Sequence, residues 1–251
     1  MTIGTATSKP VMDGLQIQPL PTKANGFRWM DADAYLFDID GTLLSSRDRV
    51  HYNALNRGLQ EAYGIDTTIA GVAYHGKTDV GILRAALERV GVSPEVFEAK
   101  LPQALAVVCR EVSNNATAIV PHVYPGISDL LAKLQVAGKL LGLASGNLEE
   151  VGWHKVKAAG LGNYFRFGCF SDRHEHRADI FYEGVTEAKH RLGANANVCF
   201  IGDTPEDVRA ARLANSHVIA VCTGVFKAEE LASLQPDVCV ASCAELLNES
   251  S

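Results

Sequence analysis

Two aspartates separated by one residue, Asp38 and Asp40, stand directly after the apolar run Ala34–Phe37. On an extended backbone, side chains two positions apart project to the same side, so both carboxylates would face one centre. Two close carboxylates repel unless a cation neutralises them, and Mg²⁺ prefers oxygen ligands. A surface turn or a calcium loop is the alternative, but a buried strand comes first and the apolar pair Leu43-Leu44 follows. The pattern therefore favours a magnesium site.

A second acidic cluster, Asp203 and Asp207, follows the apolar run Val198–Ile201. Pro205 is typical of a first helical turn, so Asp203 lies at a predicted strand end and Asp207 one turn into a helix. Alone, the segment would be an ordinary aspartate-capped helix start. Together with Asp38 and Asp40, it supplies the further oxygen ligands that a divalent cation needs.

The residues Ser145-Gly146-Asn147 follow a third apolar run and precede a predicted helix. A hydroxyl and backbone N–H groups at a helix start can bind phosphate, although this tripeptide alone is an ordinary turn. Transfer of a phosphoryl group also needs a fixed cation. Four basic side chains are candidates: Lys155, Lys157, Arg173 and Arg177. We select Arg177, which directly precedes a predicted helix; the alternative is a solvated surface arginine.

Apolar runs that read as buried strands alternate with helical patterns through most of the chain. The predicted strands are 34–37, 139–144, 198–201, 217–222 and 238–240, and the predicted helices are 127–137, 149–159, 180–192 and 205–213. Such alternation predicts an α/β fold, a Rossmann-like doubly wound parallel sheet. Ligands bind at the carboxyl ends of the strands in these sheets, which is where the polar motifs fall.

Helical patterns at 51–63, 79–90 and 94–112 interrupt the alternation after the first strand. We therefore predict three parts: a flexible N-terminal lead-in over 1–30 without a catalytic role, an α/β core over 31–46 and 123–251, and a helical cap over 47–122. Within the cap, the polar loop Tyr74–Asp79 carries His75 and Lys77. Both are candidates for substrate selection through closure of the cap, and a solvated loop is the alternative.

The motifs Asp-Ile-Asp-Gly-Thr42, Ser145 and Gly-Asp-Thr-Pro-Glu-Asp207, in this order, resemble those of the haloacid dehalogenase-like hydrolases, in the branch of phosphoglycolate phosphatases and β-phosphoglucomutases. The resemblance covers about residues 33–247. It implies that Asp38 is a nucleophile forming an aspartyl-phosphate and that Asp40 is first an acid and then a base. It also implies that Ser145 binds phosphate, that Asp203 is a magnesium ligand and that Asp207 supports the metal. One departure is Glu175-His-Arg-Ala178, where the family usually has Lys-Pro, so that Arg177 would replace the lysine.

The sequence thus predicts a magnesium-dependent phosphatase acting on a small phosphorylated metabolite, with Ser145, Gly146 and Arg177 binding phosphate and Asp38, Asp40, Asp203 and Asp207 near Mg²⁺. Two alternatives stay open: a phosphomutase, and a non-catalytic phosphate-binding protein. The net charge of −6 argues against nucleic acid or an anionic membrane as a partner. Six cysteines without a CxxC pair indicate free thiols in a reducing compartment, and we expect a cytoplasmic protein.

Overall fold

The computed structural model describes residues 26–248. A six-stranded sheet lies at its centre, in the order β5-β4-β1-β6-β7-β8, with neighbouring strands parallel. Its strands are β1 (Ala34–Phe37), β4 (Leu140–Ala144), β5 (Phe167–Cys169), β6 (Val198–Gly202), β7 (His217–Val221) and β8 (Val238–Val240). Two short strands, β2 (Leu44–Ser46) and β3 (Pro121–Val123), form a separate antiparallel pair.

Nine α-helices accompany these strands in the described residues. They are α1 (Val50–Gly58), α2 (Asp79–Glu88), α3 (Pro94–Asn114), α4 (Ile127–Val136), α5 (Glu149–Ala158), α6 (Arg177–Leu192), α7 (Pro205–Leu213), α8 (Ala228–Ala232) and α9 (Cys243–Asn248). A π-helical turn, Leu59–Tyr63, continues α1, and 3₁₀ turns occur at Ala116–Ala118 and Gly162–Tyr164. None of the helices between residues 26 and 248 is long and apolar enough to cross a membrane.

The two central strands, β1 and β6, are buried along their whole length, as expected of strands covered on both faces. One face packs against α4 and α9 through a core that includes Leu130 and Leu246, and the other packs against α6 and α7 through a core that includes Phe181 and Val208. The α/β fold with a parallel doubly wound sheet is therefore confirmed. The order reverses between β1 and β6, so the carboxyl end of β1 lies at the crevice where such folds bind ligands.

Residues 47–122, which we name the inserted segment, have a hydrophobic cluster largely of their own, formed mainly by α1, α2 and α3. The strands β2 and β3 pair at its two ends, where Leu44 faces Val123. Leu148 and Val151 of the loop after β4 and of α5 join this cluster. The inserted segment therefore packs against the sheet at the edge that carries the polar motifs.

The predicted lead-in lies mainly in residues 1–25, outside the described residues. Its last residues contact the core: Trp29 is buried beneath Lys133, and Phe27 stacks on His217 at 3.9 Å between ring centroids. The six cysteines are free thiols, of which Cys169, Cys199 and Cys243 are buried.

Candidate active site

Asp38 is the first residue after β1, and it is buried at the centre of the sheet edge. Its N–H donates to the carbonyl of Ile201 at 3.0 Å, which holds the turn against β6. Gly41 follows with a φ of +89°, and a Cβ there would lie 2.3 Å from Asp203 Oδ2. The Asp-x-Asp-Gly turn therefore needs glycine for its backbone shape and for the close approach of the Asp203 carboxylate.

Three buried carboxylates meet at this point: Asp38, Asp203 and Asp207 each place an oxygen within 4.8 Å of the others. Asp203 follows β6, and its Oδ1 accepts a hydrogen bond from Thr42 Oγ1 at 3.2 Å. Asp207 lies in the first turn of α7, where its Oδ2 accepts from the N–H and the hydroxyl of Thr204 as a capping box. The structure thus brings together three of the four predicted metal ligands.

Arg177, the first residue of α6, contributes the cation of this cluster. Its Nη2 lies 2.8 Å from Asp38 Oδ2 and its Nε lies 2.7 Å from Asp207 Oδ1, with the side chain almost fully buried. The helix α6 begins at this residue, three positions before the predicted start at 180. Arg177 therefore lies at a helix N-terminus, between the two acidic motifs.

One guanidinium cannot balance three buried carboxylates. Burial raises the pKa of Asp203 to about 8, and repulsion from Asp207 and Asp38 adds to this effect. Burial also raises the pKa of Asp38 to about 6, although Arg177 opposes the shift. The cluster therefore has an excess of negative charge, which a bound divalent cation would neutralise.

The donor set fits a magnesium ion. Carboxylate oxygens are the ligands that hard divalent cations prefer, and Asp207 Oδ1 is buried without an aligned hydrogen-bond donor among the described residues, despite its closeness to Arg177. Space beside Asp203 is kept by glycine, since a Cβ on Gly224 would lie 1.7 Å from Asp203 Oδ2. Asp38, Asp203 and Asp207 are accordingly the residues that would hold the ion.

The carboxylate of Asp40, predicted as a further metal ligand, points elsewhere. It lies outside the three-carboxylate cluster, and its Oδ2 accepts hydrogen bonds from Asn147 Nδ2 at 2.8 Å and from Lys155 Nζ at 2.6 Å. Its side chain is 44% exposed and borders the cavity between the sheet and the inserted segment. Partial burial opposes ionisation, but Lys155 and Asn147 together hold the pKa of Asp40 below its ordinary value.

The loop Ser145–Asn147 connects β4 to α5 beside Asp40. Ser145 Oγ is buried and accepts from Asn147 Nδ2 at 2.8 Å. Gly146 contacts the inserted segment closely: its carbonyl accepts from Asp79 N at 2.7 Å, and a Cβ there would lie 2.5 Å from the carbonyl oxygen of Lys77. The predicted phosphate-binding residues Ser145 and Gly146 thus line the same cavity as Asp38.

A cavity of about 450 Å³ connects these groups to the inserted segment. His75 and Lys77 line it, as do the aromatic side chains of Tyr52, Tyr74 and Tyr124. The His75 ring also contacts the Tyr74 ring in a tilted arrangement, at 4.3 Å between ring centroids. The two candidates for substrate selection therefore line the same cavity as Asp38 and Asp203 of the carboxylate cluster.

The sequence does not identify three residues of this site: His51, Asp79 and Lys155, of which it offers only Lys155, as an alternative to Arg177. Lys155 carries a detectable signal, because it lies on the face of α5 formed by the buried residues Val151, Gly152 and Val156. A charged residue at an apolar position of a helix indicates a partner in the interior. His51 and Asp79 carry no comparable signal, since their contacts join segments far apart in the chain.

Comparison with known proteins identifies the family. The sequence profile of the haloacid dehalogenase-like hydrolases matches residues 35–221, which is more than half of the chain. The chain belongs to this family. It is therefore a hydrolase whose family motifs coincide with the carboxylate cluster and the loop after β4.

The named relatives are distant. A phosphoglycolate phosphatase of Photobacterium profundum is 26% identical, with 84% of this chain and 93% of the relative covered. A probable phosphatase IndB of Dickeya dadantii is also 26% identical, covering 84% and 90%. Among solved structures, CbbY from Rhodobacter sphaeroides in complex with phosphate superposes with a TM-score of 0.65 at 22% identity, covering 86% and 96%, and shows the shared fold.

Proposed function

We propose that this hydrolase is a magnesium-dependent phosphatase that cleaves a small phosphomonoester through an aspartyl-phosphate on Asp38. The observation that carries the proposal is the buried cluster at the carboxyl end of β1. There Asp38 lies 2.8 Å from Arg177 and within 4.8 Å of Asp203 and Asp207, beside the Ser145 loop. Relatives covering most of the chain that are named phosphatases support the same reaction class.

In the first step, a carboxylate oxygen of Asp38 forms a bond to phosphorus while the ester P–O bond breaks. Arg177 and the hydroxyl of Ser145 bind the phosphoryl oxygens, where negative charge accumulates in the transition state. Asp40 gives a proton to the departing oxygen, so that the substrate leaves as an alcohol. Mg²⁺ at Asp38, Asp203 and Asp207 would neutralise further charge on the phosphoryl group.

In the second step, water attacks phosphorus and the bond from phosphorus to Asp38 breaks. Asp40, which gave its proton away in the first step, accepts one from the water. The contacts with Lys155 and Asn147 favour the ionised form of Asp40 that this step requires. The products are inorganic phosphate and the regenerated Asp38 carboxylate.

The cavity supports a small substrate with an anionic group apart from the phosphate. Among the described residues that line it, Lys77 is a cation without an acidic partner within ion-pair distance, whereas Arg177 and Lys155 have such partners. An ammonium in this position favours a carboxylate or second phosphate on the substrate. We therefore propose that Lys77 and His75 select the substrate, with 2-phosphoglycolate as the first ester to test, as the names of several relatives suggest.

The test is release of inorganic phosphate from a panel of small phosphomonoesters, with Mg²⁺ and with EDTA, comparing the intact protein with Asp38→Asn. Asparagine keeps the size of the side chain but is not a nucleophile for this reaction. Asp66→Asn is the matched control, since Asp66 is an exposed acid of the inserted segment outside the cavity. We expect release that needs both the metal and Asp38 and that survives in the control.

A second measurement is acid quenching during turnover of ³²P-labelled substrate. The proposal requires a labelled protein that is stable in acid and absent from the Asp38→Asn variant. If a folded, metal-binding protein releases no phosphate from any ester, hydrolysis of phosphomonoesters is wrong. Transfer to a bound sugar phosphate would then be tested with a bisphosphate cofactor.

A further inference from the structure

Lys155 is a buried cation whose surroundings set it apart from the other lysines between residues 26 and 248. It lies in α5 between the buried residues Val151 and Val156, and its side chain is 5% exposed. Burying an ammonium group is unfavourable unless each of its protons finds an acceptor. The acceptors of Lys155 therefore indicate why the chain keeps a lysine on this face.

Three acceptors surround the ammonium group of Lys155. Asp40 Oδ2 lies at 2.6 Å, Asn147 Oδ1 at 2.7 Å and His51 Nδ1 at 3.0 Å. An ammonium group has three protons, so these contacts use all of them. Lys155 consequently has no donor left for a substrate phosphate, and its role must act through the residues that it contacts.

Of the three acceptors of Lys155, Asp40 lies nearest to the ammonium group and accepts from a second donor as well. Asn147 Nδ2 donates to the same oxygen, Asp40 Oδ2, at 2.8 Å, so Lys155, Asn147 and Asp40 form a closed triangle of hydrogen bonds. Among the described residues, the contacts of the Asp40 carboxylate fall on Oδ2. Oδ1 is then the oxygen that exchanges a proton with the reactants, in an orientation fixed by the other.

His51 extends the network into the inserted segment. Because Lys155 donates to Nδ1, the Nε2 of His51 carries the proton and donates to Asp79 Oδ2 at 3.0 Å. The same Asp79 oxygen accepts from Leu148 N at 2.8 Å, and Asp79 N donates to the carbonyl of Gly146. The position of the inserted segment against the loop after β4 thus decides whether His51 reaches Lys155.

We propose that Lys155 is a positioning residue that holds the Asp40 carboxylate for proton transfer, and that His51 completes this arrangement when the inserted segment lies against the sheet. The inference rests on the proposed phosphatase function and adds a residue pair to it. Positioning of Asp40 by Lys155 and His51 matters most in the second step, because the attacking water is small and its placement depends on a fixed Asp40 carboxylate.

p-Nitrophenyl phosphate separates the two steps. Its leaving group departs without a proton, so formation of the aspartyl-phosphate needs little from Asp40, whereas hydrolysis of that intermediate still needs the base. In this scheme kcat/KM reports the first step and kcat reports the slower second step. A variant that misplaces Asp40 should therefore change kcat and leave kcat/KM nearly unaltered.

The experiment compares Lys155→Met, His51→Ala and the intact protein on this substrate with Mg²⁺, by steady-state kinetics and by acid-quench trapping of the phosphorylated protein. Lys157→Met is the control, since Lys157 is exposed on the same helix. For Lys155→Met we expect kcat to fall by about 10- to 100-fold, which is less than the loss expected when a general base is removed altogether. The value of kcat/KM should stay within about threefold of that of the intact protein. The phosphorylated fraction should rise. His51→Ala should shift the same quantities in the same direction, by about 3- to 10-fold in kcat.

Equal losses in kcat and kcat/KM, with an unchanged phosphorylated fraction, would show that Lys155 only supports the structure. A kcat within twofold of the intact protein would also overturn the proposal. If Lys155→Met does not fold, the His51→Ala variant decides between the same outcomes. If the phosphatase proposal itself is wrong, the intact protein will give no phosphorylated species that depends on Asp38, and this result distinguishes that failure from a failure of the Lys155 proposal.

Discussion

Replacement of Asp203 by asparagine should stabilise the metal-free protein, and more so as the pH rises. Asparagine keeps an oxygen that accepts from Thr42 Oγ1, but it removes one of three buried charges that share a single arginine. The pKa of Asp203 is raised to about 8 in the folded protein, chiefly by burial, from an unfolded value near 3.8. The folded state thus retains a proton that the unfolded state has lost.

The sign and size follow from proton linkage. Between about pH 4 and pH 8 the unfolded state binds fewer protons, so the Asp203 carboxylate lowers the free energy of unfolding by about 1.4 kcal/mol for each pH unit. From pH 6 to pH 7.5 the advantage of Asp203→Asn over the intact protein should therefore grow by about 2 kcal/mol. For a chain of this length, this corresponds to a difference of roughly 4–8 °C in Tm.

Urea and thermal unfolding in EDTA at several pH values measure this difference. Glu206→Gln is the control, because Glu206 is an exposed acid three residues after Asp203, in the first turn of α7. Added Mg²⁺ should reverse the order, stabilising the intact protein, most strongly near pH 8, and leaving Asp203→Asn nearly unchanged. A variant that is destabilised equally at every pH would refute the reasoning that these carboxylates form an unbalanced cluster.

Substitutions at two further positions, Gly224 and Arg177, test the same cluster. Gly224→Ala would place a Cβ 1.7 Å from Asp203 Oδ2, so the Mg²⁺ concentration for half-maximal phosphatase activity should rise at least about tenfold. Circular dichroism should show that the variant is folded. An unchanged Mg²⁺ concentration would contradict the role of Gly224 in keeping space beside Asp203. Arg177→Lys keeps the charge but cannot reach both Asp38 and Asp207, so kcat should fall about tenfold. Arg177→Met removes the charge as well, and kcat should fall about 10²- to 10³-fold. Equal losses in the two variants would show that the forked shape of arginine matters more than its charge.

The strands that carry the motifs were predictable because each is a continuous apolar run. Ala34–Phe37 and Val238–Val240 match the predicted bounds, and β4, β6 and β7 differ from prediction by one residue at one end. The edge strand β5 was missed, since Phe167–Cys169 is only three residues long and contains a glycine. The pair β2 and β3 was missed because its strands lie about 75 residues apart and gain their order from each other.

The candidate site also has a part that the sequence predicts and a part that it does not. Asp38, Asp203 and Ser145 follow predicted strands, so the topology alone brings them to one edge of the sheet. The direction of the Asp40 carboxylate could not be predicted, because the spacing places Asp38 and Asp40 on the same side of an extended chain. In the structure, the turn at Gly41 and the donors Asn147 and Lys155 direct Asp40 away from the three-carboxylate cluster. The direction of Asp40 thus depends on side chains of other elements, which are far from it in the sequence.

The loop after β4 joins three parts of the proposed chemistry. Ser145 is the proposed phosphate ligand, Asn147 binds Asp40, and the backbone of Gly146 and Leu148 binds Asp79 of the inserted segment. A displacement of the inserted segment would therefore remove contacts from the short loop that, in the proposed mechanism, binds the phosphate and orients Asp40. The proposed selection of the substrate by His75 and Lys77 would then be coupled to catalysis, because a substrate that holds the inserted segment against the sheet would also complete the hydrogen bonds that fix Asp40.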